Sequence, residues 1–330
     1  MTEHNQLTRR QYLGAAGAGA LVLGLGAPRG AAAAETIRQG YQTNIWGMPT
    51  YYLMKSGYLA KHGITAQDFA VPSGNITMQQ MVAGQVDLGT YAGPSFIIGN
   101  TKGGIVAIAV IEYVGKTARI TTRKDLNITK VEQLRGKRIA NLVGSSVGND
   151  FDDIVMPHFG MHKGDFQEVR MNVNDMVSAL AAKTVDAMVN VEPYNVIAVA
   201  DGIGSDLLDF SQFDKMPVFM AATAEMVEKR PDVIVAYLKA WLDAAKDFKT
   251  NQKKVNDTIY AFYASKGYKM SADTFATAMS RVEVDPSFPD LKSYMQKQAE
   301  ILIKNKTIKS IPDWSKALRP DFMEKAKSGA

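Results

Sequence analysis

From Thr36 to Val191, short apolar runs alternate with segments whose apolar residues recur every three or four positions, which predicts strands alternating with helices. Thr36–Tyr41 reads as a strand and Gln42–Met48 as a polar-aromatic loop. Pro49 suits the first turn of a helix that runs to about Lys61, where Gly63 ends it. A strand near Thr65–Val71 is followed by the turn Pro72-Ser73-Gly74-Asn75, then by Met78, Met81 and Val82 at helical spacing. Val86–Gly89 is short and strand-like, and Ile105–Ile111 is a continuous apolar run, as in a strand buried on both faces.

The order then begins again. Lys137–Val143 predicts a strand, Gly144-Ser145-Ser146-Val147-Gly148 a tight loop and Asn149–Phe159 a helix. Val177, Leu180 and Ala181 form an apolar stripe before a strand at Val185–Val191. Val86-Asp87 with Pro94 matches Val185-Asp186 with Pro193, each 99 residues apart, and Met81 falls on Leu180. A duplicated strand–helix–strand lobe accounts for this order.

From Pro231 the pattern is helical, with Ile234, Leu238, Trp241, Leu242, Ala245 and Phe248 on one face. Ser271–Arg281 and Asp290–Lys304 read as two more helices. Aromatics and methionines at this period are core, not a cofactor box. The whole predicts an α/β fold of mainly parallel sheets flanked by helices, with ligand loops beyond the C-terminal ends of the strands.

The N-terminus stands apart. Thr8-Arg9-Arg10-Gln11-Tyr12-Leu13-Gly14 precedes a weakly apolar Ala/Gly/Leu run to Ala27 and then Ala31–Ala34. A positive start, a short apolar stretch and small residues before a cut make a leader, and paired arginines followed by Tyr and Leu mark its twin-arginine form. The apolar stretch, about 14 residues, is shorter than a membrane-spanning helix needs. Residues 1–34 are therefore expected to be a leader carried by the twin-arginine translocase and then removed.

Removing Arg9, Arg10, Arg29 and Glu3 from 38 basic and 33 acidic residues leaves 35 and 32, a net charge near +3. The basic residues are scattered among acidic ones, with no stripe to track a phosphate backbone, so nucleic acid is not an expected partner. The chain has no cysteine, which excludes disulfides, thiolate metal sites, a cysteine nucleophile and a lipid anchor on a cysteine. The expectation is a soluble periplasmic monomer without cofactor.

Gly144-Ser145-Ser146-Val147-Gly148 fits the pattern of a hydrolase nucleophile elbow between strand and helix. The only histidines after it, His158 and His162, follow within 16 residues with no strand between, so the general base is missing where that fold needs it. The loop reads better as a binding loop, with two hydroxyls and free N–H groups at a helix start, or as a plain turn with a serine cap. His158 and His162 are four apart, but Gly160 interrupts the segment and no metal site is expected. Trp46, beside Gln42 and Asn44, is read as a platform for a ligand in preference to a hydrophobic plug, so Trp46→Ala would spare the stability of the unliganded chain. Thr90-Tyr91-Ala92 and Asn190-Val191-Glu192 follow matched strands and would line one cleft.

Ile37–Gln42, Ser73-Gly74, Ala83–Gly89, Leu134–Ala140 with Gly144-Ser145-Ser146, and Val185-Asp186-Ala187 with Glu192-Pro193-Tyr194 resemble solute-binding proteins of the nitrate, sulfonate, taurine and thiamine-precursor ABC importers. These form a branch of the type II periplasmic binding fold. The resemblance runs from about Thr36 to the C-terminus. It implies two lobes joined by two crossing strands: residues 35–118 with 219–330, and residues 119–218. It implies a ligand held by Gln42, Asn44, Trp46, Ser73, Gly74, Asn75, Thr90, Tyr91, Ala92, Ser145, Ser146, Val147, Asn190 and Glu192, and an ABC permease and ATPase as partners.

No arginine falls in those loops, so an anion would rest on N–H groups and hydroxyls. A sulfonate- or taurine-like anion is the first ligand class implied. Glu192, if turned inward, would favour an amine or a ring N–H instead, and an aromatic carboxylate or thiamine-type pyrimidine is the alternative. An enzyme on the same fold, of the menaquinone-pathway or pyrimidine-synthase type, is the rival from another class. The expected leader argues against such an enzyme, which acts inside the cell.

Overall fold

The computed structural model describes residues 34–329. The leader read at residues 1–34 lies, apart from Ala34, outside them. The first strand, β1 (Glu35–Gln42), pairs in parallel with β2 (Ile64–Val71) on one side and β3 (Leu88–Ala92) on the other. Gln39 and Tyr41 on one face of it and Gly40 and Gln42 on the other are all buried, as befits a strand covered on both faces. The helix expected from Pro49 to Lys61 is two, Met48–Lys55 and Tyr58–Lys61, because Gly57 between them takes φ +83° and breaks the ladder. Gly74–Val82 is a helix that buries Thr77, Met78 and Met81. β4 (Val106–Tyr113) follows the helix Gly93–Gly103 and is buried along nearly its whole length.

The chain then crosses to a second sheet made of β5 (Ala118–Arg123), β6 (Arg138–Asn141), β7 (Gln167–Arg170), β8 (Ala187–Val191) and β9 (Gly204–Asp209). It returns as β10 (Pro217–Ala222), and β11 (Glu283–Ser287) closes one edge of the first sheet. The two orders are β11-β4-β10-β3-β1-β2 and β7-β6-β8-β5-β9. Each sheet is mixed, where mainly parallel sheets were expected. β4 and β5 run into and out of one connection, β9 and β10 into and out of the other, and strands leaving and returning must run oppositely. Those connections, residues 114–117 and 210–216, lie side by side: the Val114 and Gly115 amides donate to Lys215 O at 3.0 Å, and the Phe210 amide to Gly115 O at 3.0 Å.

The internal match has a structural core. Arg38 donates through its backbone N–H to Asp87 Oδ2 at 2.8 Å, and its guanidinium bonds the same carboxylate. Arg138 does the same to Asp186, through its backbone N–H at 2.9 Å and its Nε at 3.1 Å. Each arginine also reaches a backbone carbonyl three residues before its acid, Gly84 O and Lys183 O. One clasp thus ties the third strand of each matched half, β3 or β8, to the first, β1 or β6. The repeat is one of geometry as well as of sequence.

The helix Pro231–Thr250 buries Ile234, Leu238, Trp241 and Ala245, with Leu242 and Phe248 packed partly buried beside them. Ala272–Met279 and Lys292–Lys304 lie within the two segments read as helical. Gln252–Ser265 and Asp321–Ser328 are helices that the pattern did not reveal. No helix among the described residues is long and apolar enough to cross a membrane.

Candidate functional site

A narrow cavity of about 30 Å³ lies between loops of the two sheets. From the first sheet it is lined by Gln42 at the end of β1 with Asn44 and Trp46 after it, by Ser73, Gly74 and Asn75 after β2, and by Ala92 at the end of β3 with Ser95 after it. From the second come Leu142 and Ser145, Ser146 and Val147 after β6, Val173 after β7, and Val191 at the end of β8. No lining side chain is charged. Ten of the fourteen residues expected at the site therefore meet here.

Hydrogen-bond donors from both sheets lie at the wall. Gln42 is 1% exposed. Its Oε1 accepts the Thr90 hydroxyl at 3.2 Å, which leaves Nε2 beside Gly74 without a protein acceptor among the described residues. A Cβ on Gly74 would meet Nε2 at 3.0 Å and Tyr91 Cβ at 2.7 Å, so only glycine lets the helix start come this close. The amides of Gly74 and Asn75 begin one helix, and those of Ser146 and Val147 begin the helix over 146–158. First-turn amides have no acceptor within their own helix, and the helix dipole favours negative charge there. Ser145 caps the second helix, accepting the Gly148 amide at 3.1 Å. It is thus both the turn cap and part of the cavity wall.

The two sheets touch across this cavity. Asn75 Nδ2 donates to Gly144 O at 2.7 Å, while Asn75 Oδ1 accepts the Ser95 hydroxyl at 2.6 Å. Ser95 Oγ and Ser146 Oγ face each other at 3.4 Å. No histidine is hydrogen-bonded to Ser146 among the described residues, so the loop carries no assembled nucleophile–base pair. His158 packs edge-on against Phe159 and Phe213, and His62 meets Asp243 at 3.1 Å. No group of three or more His, Asp or Glu among the described residues is placed to hold a metal ion.

Trp46 is only 5% exposed. Its indole N–H donates to Thr117 Oγ1 at 2.7 Å, and its backbone N–H donates to Asn44 Oδ1 at 3.1 Å. It is core and cavity wall at once, so its removal is expected to cost stability without ligand as well, where the sequence reading expected none. The asparagine is used locally as well, with Nδ2 turned to Pro72 O at 3.4 Å.

Four expected residues do not line the cavity. Thr90 stands one row behind Ala92 on the same face of β3, where it holds Gln42. Tyr91 points to the opposite face, fully buried, with its hydroxyl on Met81 sulfur at 3.1 Å. Asn190 and Glu192 flank Val191, and strand alternation turns them away from the cavity that Val191 faces. Asn190 Nδ2 donates to Val173 O at 3.0 Å. Glu192, fully buried, pairs with Arg281 and accepts the Val196 amide at 3.0 Å. Burial pushes its carboxyl up, and the Arg281 charge works against that shift. Arg281 also donates to Asp206 at 3.0 Å, so its charge is spent within the second sheet.

Ser95, Leu142 and Val173 were missed as wall residues, whereas Val191 belongs to the Asn190-Val191-Glu192 stretch expected to line the cleft. Ser95 sits just after Pro94, one of the matched positions, and that was a usable signal. The other two are apolar and carry no chemical mark in a sequence.

Among relatives, a "Putative binding protein" of Brucella abortus is 27% identical over 221 residues, covering 65% of this chain and 67% of its own. A "Putative ABC transporter periplasmic binding protein" of Brachyspira hyodysenteriae is 24% identical over 279 residues, covering 77% of this chain and 76% of its own. Among solved structures, the alkanesulfonate-binding protein SsuA from Xanthomonas axonopodis pv. citri, bound to MOPS, superposes with a TM-score of 0.75. It is 17% identical and covers 87% of this chain and 99% of its own, a likeness of fold. The family model described as NMT1/THI5 like matches residues 44–255, more than half of the chain, and the chain therefore belongs to the NMT1/THI5-like family.

Proposed function

We propose that this protein is the solute-binding component of an ABC importer and that its cavity takes a small organic anion of the sulfonate kind. One observation carries the ligand class. The unbonded Gln42 amide and two helix starts converge on a wall without any carboxylate, an arrangement that favours negative charge. The apolar residues Leu142, Val173 and Val191 suit a short alkyl tail. With Glu192 turned away and paired to Arg281, the amine or pyrimidine alternative loses its acceptor. The names of the Brachyspira relative and of the sulfonate-binding structure support the same reading.

In this reading residues 35–118 with 219–330 and residues 119–218 are two lobes that close on the ligand, and bridging the lobes is what shifts the open–closed balance. A permease with its ATPase then recognises the closed form. The twin-arginine leader delivers a soluble monomer to the periplasm, without a lipid anchor. In this reading the ligand is carried unaltered.

The test is a melting-shift screen of the mature chain against methanesulfonate, taurine, nitrate, benzoate and a hydroxymethylpyrimidine, with product analysis. The reading expects the anions to raise Tm and no ligand to be altered. A shift with the pyrimidine alone would reject the anion, and turnover would reject the carrier.

A further inference from the structure

A second and larger hollow, about 500 Å³, borders the 210–216 connection and shares no lining residue with the cavity. Both expected lobes wall it. From the side of the second sheet come Ile154, on the helix over 146–158 that begins at the cavity wall, and Phe213 in the connection. From the side of the first come Tyr113 at the end of β4, with Leu291, Tyr294 and Ile301 on or beside the helix Lys292–Lys304. Just past that helix Asn305 Nδ2 donates to Asp153 Oδ2 at 2.8 Å, so the two sides touch here by a direct bond.

The charged groups of this wall are unequally used. Lys215 and Lys297 are exposed, and neither makes an ion pair or a side-chain hydrogen bond among the described residues. The acid of the wall, Asp214, is buried and held by three donors. Its Oδ1 accepts the Met216 amide at 2.7 Å, and its Oδ2 accepts the Tyr294 hydroxyl at 2.9 Å and Gln298 Nε2 at 2.8 Å. An incoming cation finds that carboxylate already occupied, whereas an incoming anion finds two free ammonium groups. Aromatic and aliphatic side chains beside two unpaired cations suit a molecule that is apolar at one end and negative at the other.

We propose that this hollow is a second ligand site, for an organic carboxylate or sulfonate with an apolar body, and that its occupant holds the two sheets as they stand around the cavity. The site rests on the hollow itself; the holding role rests also on the closure reading given above. An occupant that touches Ile154 and Phe213 on one side and Tyr113 and Leu291 on the other keeps all of those contacts only while the sides stay at this separation. It therefore binds this arrangement better than one in which the lobes have moved apart, and a ligand shifts a balance by that difference. The occupant also packs on the segment that has to turn. Met216 takes φ +52°, a left-handed conformation that side chains rarely adopt, and the wall residue Asp214 fastens its amide. Hinge motion is absorbed by a few such connecting residues. The contact of Asn75 with Gly144 across the cavity belongs to the same arrangement and is favoured with it.

Octanoate is the probe, with octan-1-ol and octylamine as controls of charge. Calorimetric titration of the mature chain should show octanoate bound at a single site, and octylamine bound about tenfold more weakly. Lys215→Gln with Lys297→Gln should weaken octanoate about tenfold and leave octan-1-ol unchanged, with Tm checking the fold. Ile301→Trp fills the hollow and should abolish binding of both; if that variant does not fold, the lysine pair still decides. Absence of octanoate binding, binding that the lysine pair leaves unaltered, or a dimer that buries the hollow, seen by sedimentation, overturns the site. For the holding role, Ser95→Cys with Ser146→Cys places thiols where two hydroxyl oxygens stand 3.4 Å apart across the cavity. Octanoate should speed their oxidative cross-linking about fivefold. An unchanged rate with octanoate bound overturns the holding role. A folded double-cysteine chain that never cross-links overturns the closure reading and the holding role with it, while the site stands or falls on the calorimetry.

Discussion

The Trp46 indole N–H donates to Thr117 Oγ1 at 2.7 Å, and this bond fastens a wall of the cavity to the 114–117 connection between the sheets. Thr117 is in turn held by its own hydroxyl donating to Val114 O at 2.8 Å, and its carbonyl accepts the Glu192 amide at 3.0 Å. The loop after β1, the connection and the end of β8 form one hydrogen-bonded unit. The cavity wall therefore moves with the connection.

Trp46→Ala removes a buried indole from the main core and should cost about 3–5 kcal/mol of unliganded stability. Trp46→Phe keeps most of the packing and loses the N–H, a loss of about 1 kcal/mol. Urea titration of the unliganded protein separates the two. Equal stability of wild type and Trp46→Ala would return the residue to the role of a free platform.

Asn75→Ala removes the hydrogen bond from Asn75 to Gly144 and, with it, the acceptor for Ser95. Both groups lie at the rim between the sheets, so the closed state loses more than the open one. Methanesulfonate affinity should fall about 5-fold to 10-fold, the equivalent of roughly 1–1.4 kcal/mol. Calorimetric titration measures it, and the Tm of the unliganded chain should move little.

The stripe from Ile234 to Phe248 on the helix Pro231–Thr250 was legible because one helix face points to one core, and period alone reveals it. Strand β3 was found but read as ending at Gly89, three residues early, while β8 was read to its true end at Val191, with Asn190 and Val191 also taken as cleft-lining. Thr90, Tyr91 and Asn190 look like loop residues, yet each is buried with its polar group satisfied by Gln42, Met81 or Val173. That satisfaction comes from elsewhere in the chain and leaves no local trace. The same holds for β10, whose partners β3 and β4 lie more than 100 residues back. Asp87 and Asp186 were visible as a matched pair, while the arginines that clasp them were not recognised, because the clasp is a tertiary contact.

Arg281→Met leaves Glu192 fully buried without its counter-charge and should cost about 3–5 kcal/mol. Adding Glu192→Gln to that variant should restore part of the loss, since the amide needs no counter-charge and still accepts the Val196 amide. A double-mutant cycle by urea denaturation reads the coupling. Additive losses would show that the ion pair carries nothing beyond the separate packing of its two side chains.

Glu112 sits inside β4 opposite Val218 and Val284, fully buried, and neither carboxyl oxygen has a partner among the described residues. Burial drives its carboxyl well above the usual range, so the folded chain keeps it protonated where the unfolded chain has ionised it. The folded state then binds the extra proton, and stability falls as pH rises from the ordinary carboxylate range toward the raised value. One such group changes stability by about 1.4 kcal/mol per pH unit within that window. Glu112→Gln is neutral at every pH and similar in shape, so it should match wild type near pH 4 and become progressively more stable than wild type toward pH 8. Denaturation at pH 4, 6 and 8 measures this difference. A constant offset between the two proteins would mean that Glu112 is ionised in the fold, with a partner that its buried position does not supply.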